Sequence, residues 1–230
     1  MEALAGRLAL VTGGSKGIGA AIAAALRGQG ATVVRAARHP SVQVFPGDVP
    51  VVADLATDPG LDALIAAVLA IGVPDLIVSN AGSFALGAFE STAVSTLDEQ
   101  YRINLRAPYE IARRLLAPMR ARGSGRHILI GSIADHVPLP GNAAYAATKF
   151  GARGLHEVLR EEYRGSGVLC SLVSPGPVDT PLWDPIDPDH RDDLPSRTSM
   201  LRPDDVADLV RWIATRPPHV DVGWVQLGPA

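Results

Sequence analysis

Arg7-Leu8-Ala9-Leu10-Val11-Thr12-Gly13-Gly14-Ser15-Lys16-Gly17-Ile18-Gly19 runs from a short apolar stretch into a cluster of glycines. An alanine- and leucine-rich helical pattern follows over 18–27. A strand over 7–12, a glycine turn and a helix form the opening of a βαβ unit. Glycines at such a turn let the backbone bend tightly and approach a pyrophosphate seated on the helix N-terminus. The spacing here is G-x-x-x-G-x-G, not the commoner G-x-G-x-x-G, and taken alone it is also compatible with a plain glycine-rich turn.

Outward from this turn, strands and helices alternate. Apolar runs predict strands over 31–35, 49–55, 75–79, 126–132, 168–173 and 220–227. Helical patterns cover 61–70, 96–121, 145–163 and 204–215, with Pro108 as a candidate kink in the second. This alternation predicts one doubly wound α/β domain over 1–230, with a mostly parallel sheet of about seven strands and helices on both faces. Ligands of such sheets bind outside the carboxyl ends of the strands. The stretch 38–49 is short and Pro40, Pro46 and Pro50 fall in or beside it, so a helix there is missing or reduced to one turn. Residues 177–202, rich in Pro and Asp, read as a substrate loop or lid.

Composition narrows the function. The formal charge is −3 and 20% of residues are charged, which excludes general disorder and gives no footprint for nucleic acid or an anionic membrane. Cys170 is the one cysteine, so no intramolecular disulfide can form. No signal peptide or spanning segment is visible, and the chain reads as cytoplasmic. Of 21 basic residues only Lys16 and Lys149 are lysines.

The charge pattern also addresses which dinucleotide would fit. An NAD site places an acid about 20 residues past the glycine turn. No acid occurs between Glu2 and Asp48, while Arg38 follows the second strand and Lys16 stands in the turn. A 2′-phosphate would meet two cations, so NADP (NADPH) is the expected cofactor.

A second signal is Tyr145-Ala146-Ala147-Thr148-Lys149, whose first and last members share a helix face. A phenol acting as acid-base near neutrality needs its pKa lowered by roughly 3 units, or about 4 kcal/mol. An ammonium at about 4 Å in an effective dielectric near 20 supplies about that much. Ser132, ending the fifth strand, can donate to a carbonyl oxygen that the phenol also reaches. Asn80-Ala81-Gly82 ends the fourth strand. The amide of Asn104, in the helix after it, could hold a water or a backbone group, or be a satisfied structural residue.

In order along the chain, these motifs resemble those of the short-chain dehydrogenase/reductase family, its short single-domain branch with a Rossmann-type fold. The resemblance covers the glycine turn, Asp54-Leu55, N-A-G at Asn80, Asn104, Ser132, Y-x-x-x-K at Tyr145, and Pro175-Gly176 with Thr180. It implies hydride transfer between a nicotinamide and a small-molecule carbonyl or secondary alcohol, with Tyr145 as general acid-base. Lys149 would lower the tyrosine pKa and hold the nicotinamide ribose, Ser132 would orient the carbonyl, and Asn104 would complete a proton relay. Gly13, Ser15, Lys16, Gly17, Ile18, Gly19, Arg38, Asp54, Leu55, Asn80, Ala81, Gly82, Pro175, Gly176, Val178 and Thr180 would join Tyr145 and Lys149 around the cofactor. A homotetramer or homodimer is expected. A β-ketoacyl-type reductase of carrier-bound substrates and a non-catalytic dinucleotide-binding sensor are the competing readings.

Overall fold

The computed structural model describes residues 2–40 and 43–230. Seven strands form one sheet: β1 (Leu8–Thr12), β2 (Thr32–Ala37), β3 (Asp48–Val52), β4 (Leu76–Ser79), β5 (Gly125–Ile130), β6 (Val168–Pro175) and β7 (Trp224–Leu227). Every neighbouring pair is parallel and the order is β3-β2-β1-β4-β5-β6-β7. The chain builds outward from β1 to β3, then crosses back to lay β4 on the other side of β1. That reversal opens a crevice at the carboxyl ends of β1 and β4.

Alternate side chains along the strands serve two cores. On one face α1 (Gly17–Arg27) and α6 (Pro203–Ala214) bring Ile22, Leu26, Val206, Val210 and Ile213 against Ala9, Val11, Val33 and Val78. On the other, α2 (Asp58–Ile71) and α4 (Ala107–Arg122) bring Leu61, Leu64, Val68, Ile111, Leu115 and Leu116 against Leu10, Val34 and Ile77. α5 (Ala143–Glu162) extends this second layer over Leu129 and Leu172 through Ala152. Local signals set the helix limits. Thr57 caps α2 by accepting the Gly60 N–H at 3.2 Å, and α4 ends on Gly123 in the left-handed region, at φ 76°.

The helix expected over 96–121 is interrupted. α3 (Val94–Tyr101) passes into a π turn at Arg102–Arg106 before α4 begins. The Ala107 N–H bonds to Arg102 five residues back, and Pro108 has no N–H for the Asn104 carbonyl. Pro108 thus acts one turn ahead of itself. Among the described residues no helix joins β2 to β3, as the prolines indicate; residues 41 and 42 of that connection lie outside the described residues. β3 also ends earlier than expected, at Val52. It tolerates Pro50 because it is the edge strand.

A buried ion cluster replaces the missing helix. Asp48, whose side chain is 0% exposed, accepts from Arg35 Nη1 at 2.7 Å, Arg27 Nη1 at 2.8 Å and the Phe45 N–H at 3.1 Å. Burial alone would raise its pKa. The hydrogen bonds from Arg35, Phe45 and Arg27 outweigh that and hold the carboxyl below its ordinary value of 3.8. Removing one member of a buried pair costs about 3–5 kcal/mol, so Asp48→Asn is expected to lose that much at pH 7 in urea denaturation. Because the folded pKa is depressed, the contribution is complete above the ordinary value and lost as pH falls through the folded one. The gap between Asp48→Asn and the unmodified protein should therefore close as pH drops below about 4.

Candidate active site

The crevice is a cavity of about 680 Å³ running along the strand ends. At its floor Thr12 ties β1 to β4: its Oγ1 accepts the Asn80 and Ala81 N–H groups at 2.9 and 3.0 Å. Asn80 returns the contact by donating Nδ2 to the Thr12 carbonyl at 2.9 Å. The glycine turn lies above this clamp. A Cβ on Gly19 would stand 2.2 Å from the Gly13 carbonyl oxygen, so the turn closes only with glycine there. Gly17, at φ 54°, lies against Thr180, whose Cγ2 would be 3.2 Å from an added Cβ. The β1–α1 turn and the loop after β6 thus form the two walls of one slot.

All the cofactor residues expected from the sequence line this cavity, from Gly13, Ser15, Lys16, Gly17, Ile18 and Gly19 through Arg38, Asp54, Leu55, Asn80, Ala81 and Gly82 to Pro175, Gly176, Val178 and Thr180. Ser132, Tyr145 and Lys149 line its other end. Sequence reasoning missed Arg35. Its Nε donates to the Gly14 carbonyl at 3.0 Å while Nη1 holds Asp48, so one guanidinium braces the glycine turn and pairs with a buried acid. The mouth keeps Lys16 and Arg38, neither ion-paired among the described residues. Phe84, Leu139 and Trp183 also line the cavity. They reach it from separate loops, and no local spacing connects them.

Ser132 caps the 3-10 turn Ile133–Asp135, its Oγ accepting the Ala134 N–H at 3.2 Å. Behind it Asp135, 0% exposed, accepts from Ser174 Oγ at 2.6 Å, Arg153 at 3.2 Å and the Ser132 N–H at 3.3 Å, and pairs with His136 Nδ1 at 2.6 Å. Trp224 Nε1 donates to the same Ser174 hydroxyl at 3.0 Å. A Cβ on Gly131 would fall 2.4 Å from the Asp135 carboxylate, which explains the glycine before Ser132.

Asn104 does not face the main cavity. It is buried, its Oδ1 accepting the Ser83 N–H at 2.9 Å and its Nδ2 donating to the Ser83 carbonyl at 3.0 Å and Thr148 Oγ1 at 3.1 Å. Of the alternatives left open by the sequence, the amide takes the backbone-holding one. A small cavity of about 10 Å³, roughly one water in size, is lined by Asn104, Ile103, Thr12, Ser79 and Lys149.

The expected lowering of the Tyr145 pKa is not seen in the cofactor-free protein. Burial pushes the Tyr145 phenol up to about 12, against the pull of the Ser132 hydroxyl and with the Asp135 carboxylate pushing the same way. It is not drawn toward neutrality. Lys149 Nζ donates to the Ile130 carbonyl at 3.1 Å and lies 5.5 Å from the tyrosine ring centroid. Burial pushes Lys149 down to about 8, although Asp135 favours its charge. The i, i+4 spacing placed both groups together but said nothing of how dry their surroundings are.

Comparison with known proteins decides the family. The short chain dehydrogenase family model matches residues 7–191. The chain belongs to the short-chain dehydrogenase family. A relative from Escherichia coli strain K12, the cyclic-di-GMP-binding biofilm dispersal mediator protein, is 32% identical over 220 residues, covering 93% of this chain and 92% of the relative. A metagenomic short-chain oxidoreductase in complex with NADP superposes with a TM-score of 0.82 at 30% identity, covering 99% of both chains. A 3-oxoacyl (acyl-carrier-protein) reductase from Agrobacterium tumefaciens C58 with NADP bound gives a TM-score of 0.85 at 28% identity, covering 98% of this chain and 94% of that one. This short-chain dehydrogenase has the all-parallel seven-stranded sheet, and among the described residues no helix is long and apolar enough to cross a membrane.

The buried lysine has a stability signature. Below about pH 8 the folded state must hold a charge that its surroundings disfavour, while the unfolded chain keeps its proton up to 10.5. Stability should therefore climb between those values. Lys149→Met is expected to stabilise the cofactor-free protein at pH 7 by up to about 3 kcal/mol and to flatten that climb, as read by denaturation at stepped pH.

Proposed function

We propose that the protein is an NADPH-preferring carbonyl reductase or alcohol dehydrogenase. The carrying observation is that a single cavity joins the glycine turn, with Lys16 and Arg38 at its mouth, to Ser132, Tyr145 and Lys149. The residues fit a dinucleotide. Gly19 permits the close turn at Gly13, Gly17 packs on Thr180, and Asp48, behind the glycine turn, is spent on Arg35 and Arg27. Two solved relatives of similar fold carry NADP in their crystals. Lys16 and Arg38 would receive a 2′-phosphate, the N-terminus of α1 the pyrophosphate, and Lys149 the nicotinamide ribose. Bound there, the nicotinamide supplies or accepts the hydride.

The protein's own groups handle the oxygen and the proton. Ser132 orients the carbonyl. Tyr145 is protonated at physiological pH, which suits a donor to the oxygen as a carbonyl is reduced. The Asn104 carbonyl, which loses its α-helical i+4 donor at Pro108, and the small cavity beside Lys149 would relay the replacement proton. Residues 177–202 serve as the substrate lid, held by Arg197, which pairs with Asp179 and Asp184 at 2.7 Å each. Exposed Val94, Tyr101, Tyr109, Phe150 and Val158 on α3, α4 and α5 supply an apolar face for a homodimer or homotetramer. The sensor alternative draws on the name of the Escherichia coli relative. Ser132, Tyr145 and Lys149 at one cavity argue for turnover.

Tyr145→Phe keeps the ring and removes the hydroxyl, so turnover of NADPH with a ketone should fall by about 10²–10⁴-fold. NADPH binding should persist, and a sensor would show no turnover to lose. Titration should also show NADPH binding more tightly than NADH, and Arg38→Asp should erase or invert that order.

A further inference from the structure

Beyond the phenol the cavity wall becomes aromatic. Phe84, from the loop after β4, stands edge-on to Tyr145 with ring centroids 4.8 Å apart. Trp183, from the 3-10 turn Pro181–Trp183, stands edge-on to Phe84 at 5.1 Å. The indole Nε1 donates to the Val178 carbonyl at 3.1 Å, so its polar end is satisfied and the ring serves as an apolar wall. Neither ring belongs to the buried cores, and both line the cavity. Leu139 and Leu182 add apolar surface to the same cavity, at 42% and 40% exposure.

Charge is scarce at this end. Lys16, Arg38 and Asp54 line the cavity at the ends of β1 to β3, and Glu99 and Arg102 line it from α3 and the π turn. Beside the phenol the charged group lining the cavity is Lys149, whose ammonium already donates to the Ile130 carbonyl, with the Asp135 carboxylate buried behind Ser132. Nearby cations are committed: Arg153 and His136 to Asp135, Arg197 to Asp179 and Asp184. The loop over 177–202 carries six aspartates against three arginines. An acidic substrate would enter past that negative charge; the cations lining the cavity that are unpaired among the described residues, Lys16, Arg38 and Arg102, belong to the glycine turn, the end of β2 and the π turn.

We propose that the substrate is an uncharged aryl ketone or the corresponding aryl carbinol, its ring held against Phe84 and Trp183. This rests on the carbonyl-reductase reading above. Reduction adds a hydride to the carbonyl carbon, moves the C=O π pair onto oxygen, and protonates that oxygen from Tyr145. The two electrons come from NADPH, and the phenolate regains its proton from solvent.

The test is a set of initial rates for the full chain with NADPH. The matched carbonyls are acetophenone, 4-hydroxyacetophenone, cyclohexyl methyl ketone, phenylglyoxylate, an aldohexose and the acetoacetyl thioester of N-acetylcysteamine. The expected kcat/KM for acetophenone is about tenfold above its saturated analogue, as two aromatic contacts allow. It should exceed that for the charged phenylglyoxylate by a larger factor. Phe84→Leu and Trp183→Leu should each raise KM for acetophenone several-fold while leaving the NADPH Kd unchanged. Preference for the sugar, the oxo acid or the thioester overturns the proposal and leaves the reductase reading standing. NADPH binding with no carbonyl reduced overturns both.

Discussion

A carboxylate without water must be surrounded by donors, and at Asp135 those donors come from four directions. The Ser132 N–H arrives from the end of β5, Ser174 from β6, Arg153 from α5 and His136 from the adjoining turn. Trp224 on β7 joins through Ser174, and Arg153 lies over the Trp224 ring at 4.2 Å. The geometry of Ser132 against the helix carrying Tyr145 and Lys149 therefore depends on one ion. A neutral core residue could fill the space but could not dictate where four elements end. The same charge acts on both Tyr145 and Lys149, favouring the proton on each.

The opposite end of the cavity is governed by a second buried carboxylate with a different task. Asp48 takes two guanidiniums, and one of them, Arg35, also supports the glycine turn. An acid that could have repelled a phosphate is turned inward. The sheet edge is closed by ion pairing where a helix is absent. Between these two anchors lies a cavity with cations at one end and aromatic rings at the other.

Much of this was legible in the chain. The strands read as apolar runs because both sheet faces are covered, and Pro40, Pro46 and Pro50 marked a connection that has no helix among the described residues. The glycine turn, Ser132, Tyr145 and Lys149 were brought together by the order of their motifs and the family resemblance that this order carries. What escaped depends on contacts between distant segments. Arg35 and Asp48 pair across neighbouring strands, and Phe84 and Trp183 meet from loops about a hundred residues apart in a chain of 230. The direction of the Tyr145 shift was misjudged because a sequence spacing carries a distance but not a dielectric. Asn104 was located, yet its role divides between an amide that holds Ser83 and a carbonyl that Pro108 releases.

The π turn at Arg102–Arg106 has a geometric meaning beyond the freed carbonyl. Such a turn amounts to one residue inserted into an α-helical ladder, and each residue advances the helix by about 100°. It works as a phase shifter between two segments with different neighbours. Downstream, Ile111, Leu115 and Leu116 are brought into register with the sheet; upstream, α3 packs against α5. At the shift itself Leu105 presses so closely on Gly151 that an added Cβ would lie 2.8 Å from it. A chain shortened by one residue here would regain a regular ladder and lose that phasing, so either the core stripe of α4 or the contact with the tyrosine-bearing helix would face the wrong way.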